Sequence, residues 1–228
     1  MLSFPASSSP TFRGAIDRAA GPFVAASAVP AVVAALTGHR RTALSLLALP
    51  AGVAAFFRDP DRTPDHRQVE NDVVLAPADG RVMYAGPGQD GVAPPGDWQQ
   101  VSIFLSLFDV HINRTPYGGT VEDVSYRPGR WHAAYRFESA TENERSEITI
   151  SDTVDGEVRL VVFRQIVGLV ARRVVTRVQK GDELRAGQRI GLMKFGSRMD
   201  VFVPAQVELS VTLGDRTVAG ETVIGRWR

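Results

Sequence analysis

The chain has 228 residues, enough to bury a real core and to form one main domain with an appendage. Its 26 basic and 25 acidic residues nearly cancel, which argues against a general nucleic-acid binder and against a disordered acidic protein. Cysteine is absent, so disulfides, thiolate zinc sites, iron–sulfur clusters and cysteine nucleophiles are excluded. The histidines, His39, His66, His111 and His132, form no His-x-x-His or His-x-x-x-His pair, and no metal site is expected.

Residues 1–13 are rich in Ser and Pro and read as a loose tail. Gly21 to Gly38 carries no charge and is Ala/Val-rich, with Pro30 inside it. His39-Arg40-Arg41 interrupts, and a second uncharged run, Thr42 to Phe57, ends at Arg58-Asp59-Pro60. Both runs are slightly short of the about 20 apolar residues that a spanning helix needs. No charged segment precedes a single apolar run with a cleavage site, so a cleavable signal peptide is not expected. Arg13 and Arg18 precede the first run, Arg40 and Arg41 separate the two, and Arg58 and Arg62 follow. If both runs spanned, the arginine pair would face the side opposite both ends, against the bias of basic residues to the cytoplasm. A helical hairpin lying in one leaflet, with arginines at headgroup level, resolves the conflict. A buried hairpin packed on the main domain is the alternative. Residues 1–62 are thus assigned to a tail and a membrane-associating hairpin, peripheral or monotopic, on the cytoplasmic face.

From Val69 the pattern changes to short β-branched runs broken by Gly, Pro and Asp. Val73 to Leu75, Arg81 to Tyr84, Val101 to Phe108, Val121 to Tyr126, Ile148 to Ser151 and Val158 to Phe163 read as strands. So do Ile166 to Val170, Val174 to Val178, Arg189 to Leu192 and Val207 to Thr212, with turns at Asp155-Gly156 and around Gln165. The expected fold over residues 63–228 is mainly β, an antiparallel barrel or sandwich. No phosphate-binding glycine loop is present, which disfavours a nucleotide-binding α/β fold.

Three positions could carry chemistry. Asp79, in Pro77-Ala78-Asp79-Gly80, suits a turn for conformational reasons alone and could equally orient a base. His111, just past an apolar strand, is either a general base or a satisfied surface histidine. Ser197, after Gly196, is either a turn residue or a nucleophile; the Gly-x-Ser-x-Gly elbow of the α/β-hydrolases is absent.

In combination these segments resemble one family. Ala-Pro-Ala-Asp79-Gly, Phe-Asp-Val-His111 and Phe-Gly196-Ser197 follow the order and approximate spacing of the phosphatidylserine decarboxylases. Phe56-Phe57-Arg58-Asp59-Pro60 and Glu142-Asn143-Glu144-Arg145 extend the resemblance, which is to the short bacterial and archaeal form and covers roughly residues 50–205. It implies an enzyme that cuts its own chain between Gly196 and Ser197, leaving a large subunit of residues 1–196 and a small one of 197–228. Residue 197 then becomes a covalent pyruvoyl cofactor. Decarboxylating an amino acid leaves negative charge on the α-carbon and so needs an electron sink; the chain has no recognisable pyridoxal-phosphate pattern, and an internally made carbonyl fits.

By the same resemblance Asp79 orients His111 and His111 serves Ser197, a triad-like arrangement. Longer family members carry His-x-x-His here and give the relay to the second histidine. In this chain that position is Arg114, so His111 carries both roles or His132 contributes. Arg114, Lys194 and Arg198 are candidates to hold the phosphate or carboxylate of an anionic phospholipid, either a diacyl lipid or a serine ether lipid. A rival resemblance concerns Val178 to Lys194, which looks like the half-hairpins of biotinyl and lipoyl carrier domains. A carrier would present Lys194 at an exposed hairpin tip and ask nothing of Ser197.

Overall fold

A computed structural model describes residues 15–62, 72–169, 173–194 and 196–228 of the chain. The Ser/Pro-rich stretch 1–13 and His66 lie outside the described residues. The chain divides at Arg62 into two compact units: Phe12–Asp61, and a larger one that includes Arg62–Arg228.

The smaller unit is helical. Asp17 caps a 3-10 turn by accepting the Ala19 amide at 2.8 Å. Helix α1 (Gly21–Leu36) follows, with Pro22 in its first turn, where the missing N–H costs nothing. The second uncharged run forms two helices, α2 (Arg40–Leu46) and α3 (Ala48–Phe56). Their joint at Leu47 has a covalent cause: Pro50 lacks the N–H that would bond the Leu46 carbonyl. Both helices pack on α1. The base of the hairpin closes through Asp17 N to Phe57 O (2.9 Å) and Asp59 N to Ala15 O (2.8 Å), with Phe23 stacked on Phe57. Val29, Val32, Val33, Leu36, Leu44, Leu47 and Leu49 are exposed. The helical stretch Arg18–Leu36 is long and apolar enough to cross a membrane, by length and composition. Apolar helices this exposed suit a lipid surface better than water.

The larger unit is mainly β, as expected from the sequence. Its strands are β1 (Val73–Leu75), β2 (Gly80–Pro87), β3 (Trp98–Leu105), β4 (Ile112–Arg114), β5 (Gly119–Arg127), β6 (Arg145–Val154) and β7 (Glu157–Val167). After these come β8 (Val174–Thr176), β9 (Glu183–Leu184), β10 (Arg189–Met193), β11 (Ser197–Pro204), β12 (Glu208–Leu209), β13 (Arg216–Thr217) and β14 (Val223–Arg226). One short helix, α4 (Ser139–Glu142), precedes β6. Eight strands pair in the order β13-β2-β3-β11-β7-β6-β5-β9, and two three-stranded sheets, β4-β10-β8 and β1-β14-β12, complete the unit.

Strand β11 is central and was not expected. It pairs with β3 on one side and β7 on the other, antiparallel to both. Met199, Val201 and Val203 point into the main core with Val101, Ile103, Leu105, Val161 and Phe163. Arg198 and Asp200 hide that alternation in the sequence, because charged residues at alternate positions usually mark a solvated face. Here that face is covered. Arg198 Nε meets Asp200 Oδ1 at 2.6 Å, and its Nη2 donates to Ser102 Oγ at 3.1 Å. Phe202, on the same face, packs with Val92, Ala140 and Val162.

Two further expectations are corrected. The strand expected to reach Phe108 ends at Leu105, because Asp109 Oδ2 accepts both the amide (2.8 Å) and the hydroxyl (2.7 Å) of Ser106 and closes a turn. The turn expected at Gln165 is a continuous strand, β7; Gln165 is buried and pairs with Ser146 and Met199. Asp200→Ala would strand the buried Arg198 charge, and is expected to lower unfolding stability by about 3–5 kcal/mol in denaturant titration.

Candidate active site

Between β10 and β11 the chain leaves a three-stranded sheet and enters the middle of the eight-stranded one through residues 194–196. Gly196 makes this passage in the left-handed region, with φ at +65°. Among the described residues, no atom outside its chain neighbours lies within 4 Å of where its Cβ would be, so the demand for glycine is conformational rather than steric. The next residue, Ser197, opens β11 opposite Leu105 and Val167. It is fully buried, and its hydroxyl has no hydrogen-bond partner among the described residues. Leaving such a group unsatisfied costs about 1–3 kcal/mol, and a native structure retains one only for a reason.

His111 lies against the same bond. Its Nδ1 is 3.0 Å from the Asp109 carbonyl oxygen, which can only accept, so Nδ1 carries the proton. Nε2 is then the basic nitrogen, and it accepts the Gly196 amide at 3.3 Å. The turn that Ser106 and Asp109 close thus sets the tautomer that a general base requires. The contact is to the Gly196 amide, the residue before Ser197.

Asp79 is placed differently. Its Oδ1 and Oδ2 receive Arg62 Nη1 (2.5 Å) and Nη2 (2.7 Å), a two-pronged pair, and Oδ1 also accepts the Ala219 amide at 2.8 Å. Arg62 Nη1 adds a bond to the Ala219 carbonyl at 3.2 Å. In the sheet, Arg81 pairs with Phe104 and Phe104 with Arg198, so Asp79 sits about two strand spacings, ~10 Å, from the serine strand. Arg62 and Ala219, its partners, thus tie the segment before β1 to the one after β13.

The basic candidates separate as well. Arg198 lies on the covered face, paired with Asp200, while Ser197 shares the face of Met199. Arg114 is buried and donates to the Gly187 carbonyl at 2.9 Å. Lys194 is half-buried and adjoins the Gly196–Ser197 segment. It joins two strands that each pair with other strands, so it is not at the hairpin tip that a lysine-modified carrier would present. His132 Nε2 pairs with Glu142 at 3.1 Å.

Residues that the sequence did not single out complete the site. Gly168 abuts the Gly196 carbonyl; a Cβ on residue 168 would lie 2.0 Å from that oxygen. Gln165 donates to Asn113 Oδ1 (2.9 Å) and accepts from Thr176 (2.8 Å), while the buried Asn113 Nδ2 has no partner among the described residues. Gln165 faces Met199, two residues beyond Ser197 on the same side of β11. Its polar character in an apolar strand was the available signal; Gly168 offered only a glycine after an apolar run.

The fold and site define a mainly β enzyme domain joined to an apolar helical unit. Residues 49–225 match the phosphatidylserine decarboxylase family model. A relative in Geotalea daltonii is 43% identical over 206 residues, covering 90% of this chain and 92% of its own length. One in Geotalea uraniireducens is 44% identical over 206 residues, with the same coverage, and one in Magnetococcus marinus 39% over 214, covering 93% and 95%. All three bear the name phosphatidylserine decarboxylase proenzyme. The chain belongs to the phosphatidylserine decarboxylase family, which makes it a carboxy-lyase.

Gly168→Ala would place its Cβ 2.0 Å from the Gly196 carbonyl oxygen, which must move aside, and 3.2 Å from the buried Ala134 methyl. It is expected to slow decarboxylation about hundredfold, the effect of an ~1 Å misplacement, with an unchanged far-ultraviolet circular dichroism spectrum.

Proposed function

We propose that this chain is a proenzyme that cuts itself between Gly196 and Ser197, and that the product decarboxylates phosphatidylserine to phosphatidylethanolamine and CO2. The observation that carries the reading is the buried Ser197 hydroxyl, without a partner among the described residues, following a left-handed glycine whose amide faces the basic nitrogen of His111. An ordinary turn serine would satisfy its hydroxyl or expose it.

The residues act as follows. His111 Nε2 takes the hydroxyl proton as Ser197 Oγ attacks the Gly196 carbonyl carbon, because serine is a poor nucleophile until a base assists it. The C–N bond breaks, the new amine takes the proton, and an ester joins Gly196 to the serine oxygen. Loss of the Ser197 α-proton expels the Gly196 carboxylate by breaking the Cβ–O bond. Tautomerisation and addition of water release ammonia and leave a pyruvoyl group at residue 197. The orphaned polar atom at Ser197 fits this role, since a side chain about to be consumed needs no permanent hydrogen bond. That group supplies the electron-accepting carbonyl that decarboxylation requires.

For the later reaction, His111 remains beside residue 197 as a proton donor or acceptor. Lys194, adjoining the bond, is the basic candidate best placed for the head group. Asp79 acts through Arg62 and Ala219, holding the small chain's residues after β13 to the large chain once the bond is cut. The exposed apolar helices give the enzyme an affinity for the membrane that holds its substrate.

Intact-mass analysis tests the reading. Fragments of about 21 and 3.5 kDa are expected, in proportion to 24.7 kDa over the 228 residues, the smaller one beginning with a ketone. Ser197→Ala should give one uncut chain with no CO2 release. A variant that still splits, or an active preparation holding a single unmodified chain, refutes the mechanism. His111→Ala is expected to slow cutting at least about hundredfold, the usual contribution of a general base, and a time course of the two fragments checks it.

A further inference from the structure

Six large apolar side chains stand exposed on three loops that meet at the Gly196–Ser197 segment. Leu107 and Phe108 occupy the turn that leads to His111, with Phe108 87% exposed. Trp131, Tyr135 and Phe137 lie on the loop that carries the buried Ala134, and Leu169 follows Gly168. Two of the loops touch Gly196 directly, and the third touches Gly168. His111 accepts the Gly196 amide, and Gly168 abuts the Gly196 carbonyl. The Ala134 methyl lies 3.2 Å from where a Cβ on residue 168 would stand.

The tips are held outward. Asp109, which closes the 106–109 turn, is also bonded by Arg216 at 3.1 Å, and Tyr135 packs edge-on against Phe104 with ring centroids 6.2 Å apart. Braced, exposed aromatic side chains on neighbouring loops form an apolar patch that water does not favour. Arg136 and Arg173 are exposed on the same loops, with Glu138 the acidic neighbour; Arg130 is engaged by Glu142.

We propose that this rim is a membrane-docking surface that seats the mouth of the site against a bilayer containing anionic phospholipid. The inference rests on the lipid-decarboxylase reading above. A two-chain lipid leaves the bilayer only at the cost of exposing both acyl chains, whereas a rim entering the headgroup layer brings the site to the lipid. Aromatic and leucine side chains suit that layer, and the two arginines match its negative charge.

The test uses the full chain with its helical unit intact and two double variants, Phe108→Ser with Leu169→Ser and Tyr135→Ser with Phe137→Ser. CO2 release is measured on phosphatidylserine in phosphatidylcholine vesicles and on monomeric short-chain phosphatidylserine. Each variant is expected to lose about tenfold or more in kcat/KM on vesicles, the factor that removing buried apolar side chains from an interface supplies. Self-cutting and turnover of the monomeric lipid should stay within about twofold, since no interface is needed there. Equal losses on both substrates, or none on vesicles, overturn the proposal. A changed subunit number in the variants would assign the rim to contact between copies and also overturn it. An unaltered chain that decarboxylates neither substrate would instead refute the function proposed above.

Independently, Trp131 fluorescence should be quenched by brominated lipid chains, and Trp131→Phe should remove most of that quenching. Quenching that survives the substitution also counts against the rim.

Discussion

The left-handed turn at Gly196 is the constraint on which the site depends. A residue with a side chain is strained there by about 1–2 kcal/mol, so glycine alone lets the chain leave β10 and enter β11 within residues 194–196. That passage delivers Ser197 to the head of the most central strand, between β3 and β7, where its hydroxyl is buried. The same passage turns the Gly196 amide toward His111 and its carbonyl toward Gly168. Strand order, histidine tautomer and the closeness of Gly168 all act on this one peptide unit.

The two faces of β11 carry different kinds of side chain. On the covered face Arg198, Asp200 and Ser102 form a hydrogen-bonded ion pair, costly to disrupt because each charge is out of water. On the core face Met199, Val201 and Val203 contribute apolar burial. Ser197 continues the core face but ends it in an unsatisfied hydroxyl. Asp200 Oδ2 on the covered face is likewise without a partner among the described residues, so the packing on both sides supports two unfavourable groups on this strand. Asp79 belongs to the supporting structure in the same sense, since Arg62 and Ala219 occupy its carboxylate.

Much of the fold was legible because short β-branched runs between Gly, Pro and Asp have little other way to fold. Errors came where a polar residue is buried. Arg198 and Asp200 concealed β11, although Met199, Val201 and Val203 recur at every second position. Gln165 reads locally as a turn residue, whereas its amide bonds Asn113 and Thr176 inside the core. The over-long β3 failed for a local reason, the Ser106–Asp109 turn, whose chemistry was present in the sequence. Pro50 likewise announced the break between α2 and α3.

By itself the sequence determined the division into an apolar helical segment and a β-rich remainder, since hydropathy and turn chemistry are local properties. It also determined the family, because several short motifs recur in one order. Tertiary structure alone decided which residues meet. That His111 presents Nε2 to Gly196, that Arg62 holds Asp79, that Arg198 is turned away from the serine and that Gly168 touches the Gly196 carbonyl all depend on strand register. Register is set by the packing of whole sheets, and no run of neighbouring residues encodes it.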